Sequence, residues 1–227
     1  MTSGGKMAVE RVQDKIPLIS PEGQKMLGEA SAKQTLLLRL FKEQENNTFC
    51  GIHSSALVMS AKHLGQQFAD PSEHLKCPVD DVPYTESNLF TFKETKAALD
   101  YASCDTNGAT MDEIYNLLCA HGLTIKKVHV DESSVKEFRT LASEALSQVG
   151  SEKGVIVNYD EYDLGQDEHV HGHFSVLAAY HETTDRFLLL DTWFNTVDCW
   201  VNAGDLFRCM NTFDKDANKY RGFMIVG

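Results

Sequence analysis

Cys50 ends a polar loop, Gln44-Glu45-Asn46-Asn47-Thr48-Phe49, and opens a run of small and apolar residues. From Cys50 to Leu64 the apolar positions Ile52, Ala56, Leu57, Val58, Met59, Ala61 and Leu64 recur too continuously for a surface helix, so the spacing predicts a buried helix with the thiol in its first turn. Unpaired amides and the dipole at a helix N-terminus favour a thiolate over a thiol, and a neighbouring histidine strengthens that preference. Gln44, upstream in the same loop, carries an amide that can donate to an oxyanion forming beside the sulfur. A well-aimed donor of this kind is worth roughly 10²–10³ in rate. Buried cysteines are also ordinary packing residues, so the thiol needs partners before it counts as chemistry.

Those partners are a base and a group to orient it. His173 begins one apolar run, to Tyr180, and Asp191 ends the next, which starts at Arg186. If the two runs form a hairpin turning near Glu182 to Asp185, histidine and aspartate become neighbours on one sheet edge that can face the Cys50 helix. Taken singly, each has a structural explanation, a strand-edge histidine and a strand-ending turn acid. The run His169-Val170-His171-Gly172-His173 offers a rival, because alternating histidines in a strand can bind a metal. Gly165 to Gly172 reads as a loop, however, which makes His169 and His171 loop residues and leaves the protein without a metal of its own.

The elements that must position these residues follow from composition and pattern. With 227 residues, 42% of them hydrophobic, the chain can bury one large core or two lobes sharing an interface. A net charge of −12 without any Lys/Arg cluster argues against nucleic acid or an anionic membrane as a partner. The six cysteines show no C-x-x-C pair, so free thiols and a reducing compartment are expected. No apolar stretch has the length of a leader or a membrane span, and the expected location is cytoplasmic.

Residues 1–15 read as a polar, flexible leader and 16–227 as one catalytic domain, helix-rich over 16–150 and sheet-rich over 151–227. Ala32 to Phe41 is expected to be a helix, and Gly65 to Asn88 an irregular connection. Thr110-x-x-Glu113 and Ser134-x-x-Glu137 are capping boxes ahead of two further helices, with a strand between them from Leu123 to Val130. Short apolar runs at Gly154–Tyr159, His173–Tyr180, Arg186–Asp191 and Gly222–Val226 follow. Helices first and strands second, without βαβ alternation, define an α+β fold with an antiparallel sheet.

Gln44 and Cys50, the later Gly172-His173-Phe174-Ser175, Asp191, and the closing Arg221-Gly222-Phe223-Met224-Ile225 together resemble the phytochelatin synthase family, a branch of the papain-like cysteine peptidases. Val155-Ile156-Val157-Asn158-Tyr159 and Met210-Asn211-Thr212-Phe213-Asp214 extend the resemblance from about Ile16 to the end. It implies a papain-like fold and an enzyme acting on glutathione. Cys50 would attack the Cys-Gly carbonyl and expel glycine, leaving a γ-glutamylcysteinyl thioester that passes to water or to a second glutathione. His173 would then be general base and acid, Asp191 its orienter and Gln44 the oxyanion donor. The aspartate and arginine that hold the γ-glutamyl group in the family match Asp214 and Arg221, with Gly172 beside them. Arg221 suits the α-carboxylate and Asp214 the α-ammonium.

Departures from the family pattern shape the expected outcome. After Asp191 the chain reads Thr192-Trp193-Phe194-Asn195-Thr196-Val197-Asp198-Cys199-Trp200, without the basic residues of its relatives, and the loop before His173 carries Asp160, Glu161, Asp163, Asp167 and Glu168. Both changes weaken an acceptor site for a second anionic glutathione, so hydrolysis is expected to dominate over transpeptidation. The cysteine-rich extension of plant relatives does not follow Gly227. Cadmium or zinc is therefore expected to act as a glutathione thiolate complex rather than as a bound cofactor, in a role in heavy-metal or thiol homeostasis. A homodimer is the assembly considered. Two rival classes are a papain-like peptidase or deamidase on another substrate and a non-enzymatic thiol- or metal-binding protein.

Overall fold

The computed structural model describes residues 10–68, 70–77, 79, 82–147 and 153–227. Its strands are β1 (Lys15–Pro17), β2 (Ala32–Lys33), β3 (Ile125–His129), β4 (Gly154–Asp160), β5 (Gly172–His181), β6 (Arg186–Leu190), β7 (Cys199–Asn202), β8 (Phe213–Asp214), β9 (Lys219–Tyr220) and β10 (Gly222–Val226). The α-helices are α1 (Pro21–Glu29), α2 (Thr35–Leu40), α3 (Cys50–Gln67), α4 (Glu86–Leu89), α5 (Lys93–Ala98), α6 (Tyr101–Asn107), α7 (Met111–Ala120), α8 (Val135–Ser147), α9 (Glu161–Leu164) and α10 (Ala203–Met210).

One sheet organises the chain. Its order is β1-β7-β6-β5-β4-β10-β3, all neighbours antiparallel, and β8 and β9 form a separate ribbon. The central strands are apolar at successive positions because both faces are covered. Ile156, Val176, Leu188, Leu190 and Met224 pack with the α2 and α3 residues Leu36, Ile52, Ala56 and Met59. Val155, Val157, Leu177, Phe187 and Phe223 pack on the other face with Phe138, Ala142, Leu206 and Met210 of α8 and α10. Alternate residues of each strand thus serve opposite cores, as a two-residue period requires. The fold is α+β, with an antiparallel sheet, as its sequence pattern predicts.

A register shift between Leu177 and Ala179 bends β5. Gly172 to Leu177 pair with β4, whereas Ala179 and Tyr180 pair with β2 on the same side. That vacated edge explains why Ala32 and Lys33 are extended rather than the first turn of a helix running to Phe41, and α2 starts only at Thr35. The connection after the Cys50 helix is also more ordered than its proline content predicts, since α3 continues to Gln67 and α4 follows a Thr85–Asn88 capping box.

Residues 1–9 of the expected leader lie outside the described residues, and residues 10–15 correct its boundary. Val12 is buried and its amide donates to Asp163 O at 2.9 Å. Lys15 Nζ donates to the carbonyls of Val12, Leu164 and Gly165 at 2.8, 2.7 and 3.2 Å. Burial outweighs nearby charges and lowers its pKa. These bonds clasp the turn after β4 to the start of the domain. No helix among the described residues is long and apolar enough to cross a membrane.

Phe138 is fully buried against the rings of Phe187 and Phe223, 5.1 and 5.0 Å away between centroids. Phe138→Ala is expected to cost about 3–5 kcal/mol, the range for deleting a buried aromatic ring. Urea denaturation checks it: the midpoint should fall with an unchanged slope.

Candidate active site

The loop before Cys50 is held by a buried acid that sequence reading missed. Glu86 of α4 accepts from the amides of Glu45 and Asn46 at 2.9 and 2.7 Å and pairs with His53 Nδ1 at 3.0 Å. His53 lies within α3, and its Nε2 donates to Lys42 O at 2.7 Å. Asn46 Oδ1 accepts from the amide and hydroxyl of Thr48, closing a local turn. These bonds fix the loop from both sides. Phe49, at the N-cap, makes no side-chain capping bond, so first-turn amides of α3 remain donors beside the Cys50 thiol, which is partly exposed. Gly51 keeps that turn close to the sheet, because a Cβ there would meet Ile114 Cδ1 at 2.7 Å and Phe174 Cδ2 at 3.3 Å.

His173 precedes Phe174 in β5, at the strand's start. His173 Nε2 and Asp191 Oδ1 are 2.9 Å apart, both groups essentially inaccessible to solvent. The hairpin geometry explains the pairing, for Val176 stands opposite Leu190 and the chain ends beyond them converge. Nε2 also lies 3.4 Å from the Thr192 hydroxyl, and Cys50 is near enough to His173 to help raise the pKa of the ring. Asp191 is steadied in turn by the Trp193 amide at 3.1 Å and by Gln166 Nε2 at 3.3 Å.

Gln44 is buried and joins this cluster through Thr192. The Thr192 hydroxyl contacts Gln44 Oε1 at 3.0 Å and Phe174 O at 2.9 Å, and the Gln44 amide nitrogen of the backbone donates to Thr192 O at 2.8 Å. Gln44 Nε2 donates to Asn46 O at 2.8 Å, leaving one of its two hydrogens for another acceptor. Thr192 links the loop of Gln44 to the strand end of Asp191, a role with no signal in the sequence beyond adjacency to that acid.

Glu161 is the second residue that pattern reading misplaced. Counted among the acids of an exposed loop, it is instead fully buried under β4 and β5. Burial, followed by the charge of Asp191, pushes its carboxyl well above the usual range. Burial also opposes a charge on His173, but Glu161, Asp191 and the bonds to Asp191 and Cys50 outweigh it and hold the imidazole well above its ordinary pKa. For Asp191, burial raises the pKa, and His173 more than offsets it, leaving the carboxyl below its usual value. A Glu161 oxygen, a His173 nitrogen and an Asp191 oxygen lie within 4.8 Å of one another, close enough to meet around a cation. Within the set, His173 Nε2 is hydrogen-bonded to Asp191 Oδ1. His169 and His171 join no such group among the described residues, and His171 faces Asp160 at 3.3 Å.

The other loop acids are also used internally. Asp160 caps α9 through the Asp163 amide, Asp167 accepts from the amides of His169 and Val170, and Glu168 pairs with Arg11 at 3.4 Å. The bond from the His169 amide, joined by that from Val170, lowers the Asp167 pKa, so this acid keeps its negative charge.

Arg221 is buried between β9 and β10, where Nη1 donates to Thr212 Oγ1 at 3.0 Å and Nε has no partner. A Cβ on Gly172 would stand 2.9 Å from Arg221 Nη2. Gly172 thus makes room for the guanidinium next to His173. Asp214 lies on the β8–β9 ribbon, and its Oδ1 accepts from the amides of Asp216 and Ala217 at 3.0 and 3.3 Å. The structure brings Cys50, His173, Asp191 and Gln44 together, with Arg221 and Gly172 alongside. Asp214 is occupied by its own turn.

A cysteine at a helix N-terminus, set against a buried His–Asp pair on an antiparallel sheet, is the arrangement of a thiol-dependent acyl-transfer class. The chain belongs to the phytochelatin synthase family, whose model matches residues 7–223. It is similar to glutathione gamma-glutamylcysteinyltransferase 3 of Lotus japonicus, 26% identical over 93% of this chain and 42% of that protein. The wheat (Triticum aestivum) glutathione gamma-glutamylcysteinyltransferase 1 is 25% identical over 93% of this chain and 40% of its own length. The corresponding values for glutathione gamma-glutamylcysteinyltransferase 2 of Arabidopsis thaliana are 24%, 93% and 44%. The chain spans about four-tenths of the length of these relatives.

Two outcomes follow from the charges around the loop and Asp191. Burial raises the pKa of Glu86, but His53 and the two amides outweigh it and the net shift is downward. Its stabilising contribution is present above the unfolded carboxylate pKa and disappears as pH falls through the folded one. Glu86→Gln should cost about 1–3 kcal/mol at neutral pH, the scale for bonds to a charged acceptor, and the gap in thermal midpoint to wild type should narrow in acid. Asp198 has the opposite sign: burial pushes it from 3.8 to about 7 while its Oδ1 accepts the Asp191 amide at 3.0 Å. The folded state binds more protons in that window, so stability falls as pH rises from 3.8 to about 7. Asp198→Asn keeps the acceptor oxygen, and its melting temperature relative to wild type should rise across the same window.

Proposed function

We propose that the chain is a papain-like thiol enzyme that removes glycine from glutathione through a γ-glutamylcysteinyl thioester on Cys50. The observation that carries this reading is the buried 2.9 Å His173–Asp191 bond beside the α3 N-terminus. The relatives named as glutathione gamma-glutamylcysteinyltransferases support the substrate.

In this reading the Cys50 thiolate attacks the Cys-Gly carbonyl while His173 is an imidazolium. The new oxyanion takes hydrogen bonds from the α3 first turn and the free hydrogen of Gln44 Nε2, whose orientation Thr192 sets through Oε1. His173 then protonates the departing glycine amine. In the second half-reaction neutral His173 removes a proton from the acceptor, and the thioester passes to it. Asp191 holds the ring in place throughout.

Arg221 offers Nε and Nη2 to the γ-glutamyl α-carboxylate as a fork, which is how an acidic protein selects that end of glutathione. Asp214 has an acceptor oxygen left for the α-ammonium. Water is the principal acceptor: the segment Thr192 to Trp200 presents no lysine or arginine for a second glutathione. Metal enters as a glutathione thiolate, as substrate rather than cofactor.

Mass spectrometry of glutathione incubated with the protein, with and without cadmium, tests the reading. Glycine and γ-Glu-Cys are expected, and none with Cys50→Ala. Longer (γ-Glu-Cys)n-Gly products would overturn the preference for water, and no turnover under either condition would overturn the substrate. Arg221→Met is expected to raise KM by about tenfold or more, since a charged bidentate bond is lost.

A further inference from the structure

Glu161 is a fully buried acid that the reaction outlined above does not use. Neither of its oxygens completes a well-formed hydrogen bond, yet one stands within 4.8 Å of the bonded His173–Asp191 pair. The backbone holds it there firmly. Its amide donates to His171 O at 2.8 Å, and its carbonyl accepts from the amides of Gly165 and Gln166 at 3.1 and 3.3 Å. The backbone that carries the side chain is therefore fixed beside the cluster.

Two bare carboxylates at this separation in an apolar interior repel each other, and neither is solvated. A single proton between them removes the conflict. We propose that Glu161 is a positioning residue for the Cys50–His173 pair, its carboxyl sharing one proton with Asp191 so that the buried acids carry one negative charge and His173 meets a partner of fixed place and limited strength. This inference rests on the thiol-enzyme reading of the site.

The groups facing Glu161 come from every element around it. Tyr159 of β4 stands opposite His173 in the sheet register, and its hydroxyl lies 3.4 Å from Asp191 Oδ2 and 3.1 Å from Ser175 Oγ. Lys15 of β1 and Cys199 of β7 feel its charge. Asp160 and Asp163 flank it on its own segment, and Arg208 and Cys209 of α10 face those two acids. Burial followed by the charges of Asp191 and Glu161 raises the Tyr159 hydroxyl well above its usual pKa, so it stays a neutral donor. The raised Glu161 pKa agrees with a resident proton.

Loss of that proton in alkali places a second negative charge beside His173. The imidazolium is then stabilised, and the neutral ring needed to activate the acceptor becomes scarcer. Glu161→Gln cannot undergo this ionisation but resembles the protonated acid in shape.

The test reads Cys50 alkylation by iodoacetamide and glutathione deglycylation against pH in wild type, Glu161→Gln and Glu161→Ala. Glu161→Gln is expected to stay within about threefold of wild type at neutral pH in both readouts while losing one alkaline ionisation. Glu161→Ala is expected to slow deglycylation about tenfold, the scale of one lost hydrogen bond. An unchanged alkaline ionisation in Glu161→Gln, a fall in that variant as large as in Glu161→Ala, or wild-type rates in Glu161→Ala would each overturn the proposal. If Glu161→Gln does not fold, difference infrared spectra of the wild-type protein decide: a protonated carboxyl at neutral pH that ionises in alkali supports the shared proton, and its absence refutes it. Alkylation involves no glutathione, so a chain that fails to turn over glutathione yet shows the expected alkylation profile sinks the substrate and leaves this inference standing.

Discussion

The hydrogen bond between His173 and Asp191 is the constraint from which the rest of the architecture follows. An ionisable pair sealed from solvent survives only where its remaining bonding capacity is met. The surroundings meet it with the Trp193 amide, Gln166 and Tyr159 on the acid and with Thr192 near the ring. These groups come from three parts of the chain, Tyr159 of β4, Gln166 after α9 and Thr192–Trp193 after β6, so the bond is a meeting point for them. The sheet supplies the rigidity, covered on both faces and joined through antiparallel ladders.

The thiol reaches this pair by a separate route. Glu86 anchors the loop that carries Gln44, and His53 ties the same acid to the Cys50 helix. Cys50 and Gln44 thus sit on one support, and His173 and Asp191 on another. Thr192 is the bridge between the supports, with one hydroxyl touching both. The two supports share one core, since Leu36, Ile52, Ala56 and Met59 of α2 and α3 pack directly on the sheet.

Much of this was legible in the sequence where a pattern had the length to speak. The continuous apolar run after Cys50 gave the buried helix, and the runs ending at Tyr180 and Asp191 gave the hairpin that aligns histidine with aspartate. Short elements were not legible. Cys199–Asn202 has too few residues to show a period, and the extended Ala32–Lys33 exists only because a shift in β5 leaves an edge to fill. Charge was the most misleading guide. The acids between β4 and β5 look like an exposed cluster in one dimension, whereas in three dimensions Glu161 is interior and Asp160 and Asp167 bond their own backbone. Composition cannot separate an acid that faces water from one that faces another acid, since the difference is made by partners distant in the chain. Thr192 and Glu86 were hidden for the same reason.

The clasp formed by Lys15 gives the site a place in time as well as in space. β1 is made early, but its strand partner is β7, and Lys15 Nζ waits for the carbonyls of Leu164 and Gly165. Contacts so distant in sequence close late, because the chain between them must first be collected. As the polypeptide emerges from the ribosome, the Cys50 helix and its loop can form long before the strands that bear histidine and aspartate exist. Cys50 therefore passes a stage of synthesis before the strands that bear His173 and Asp191 exist, and the two halves meet only when the later part of the chain folds back over its beginning.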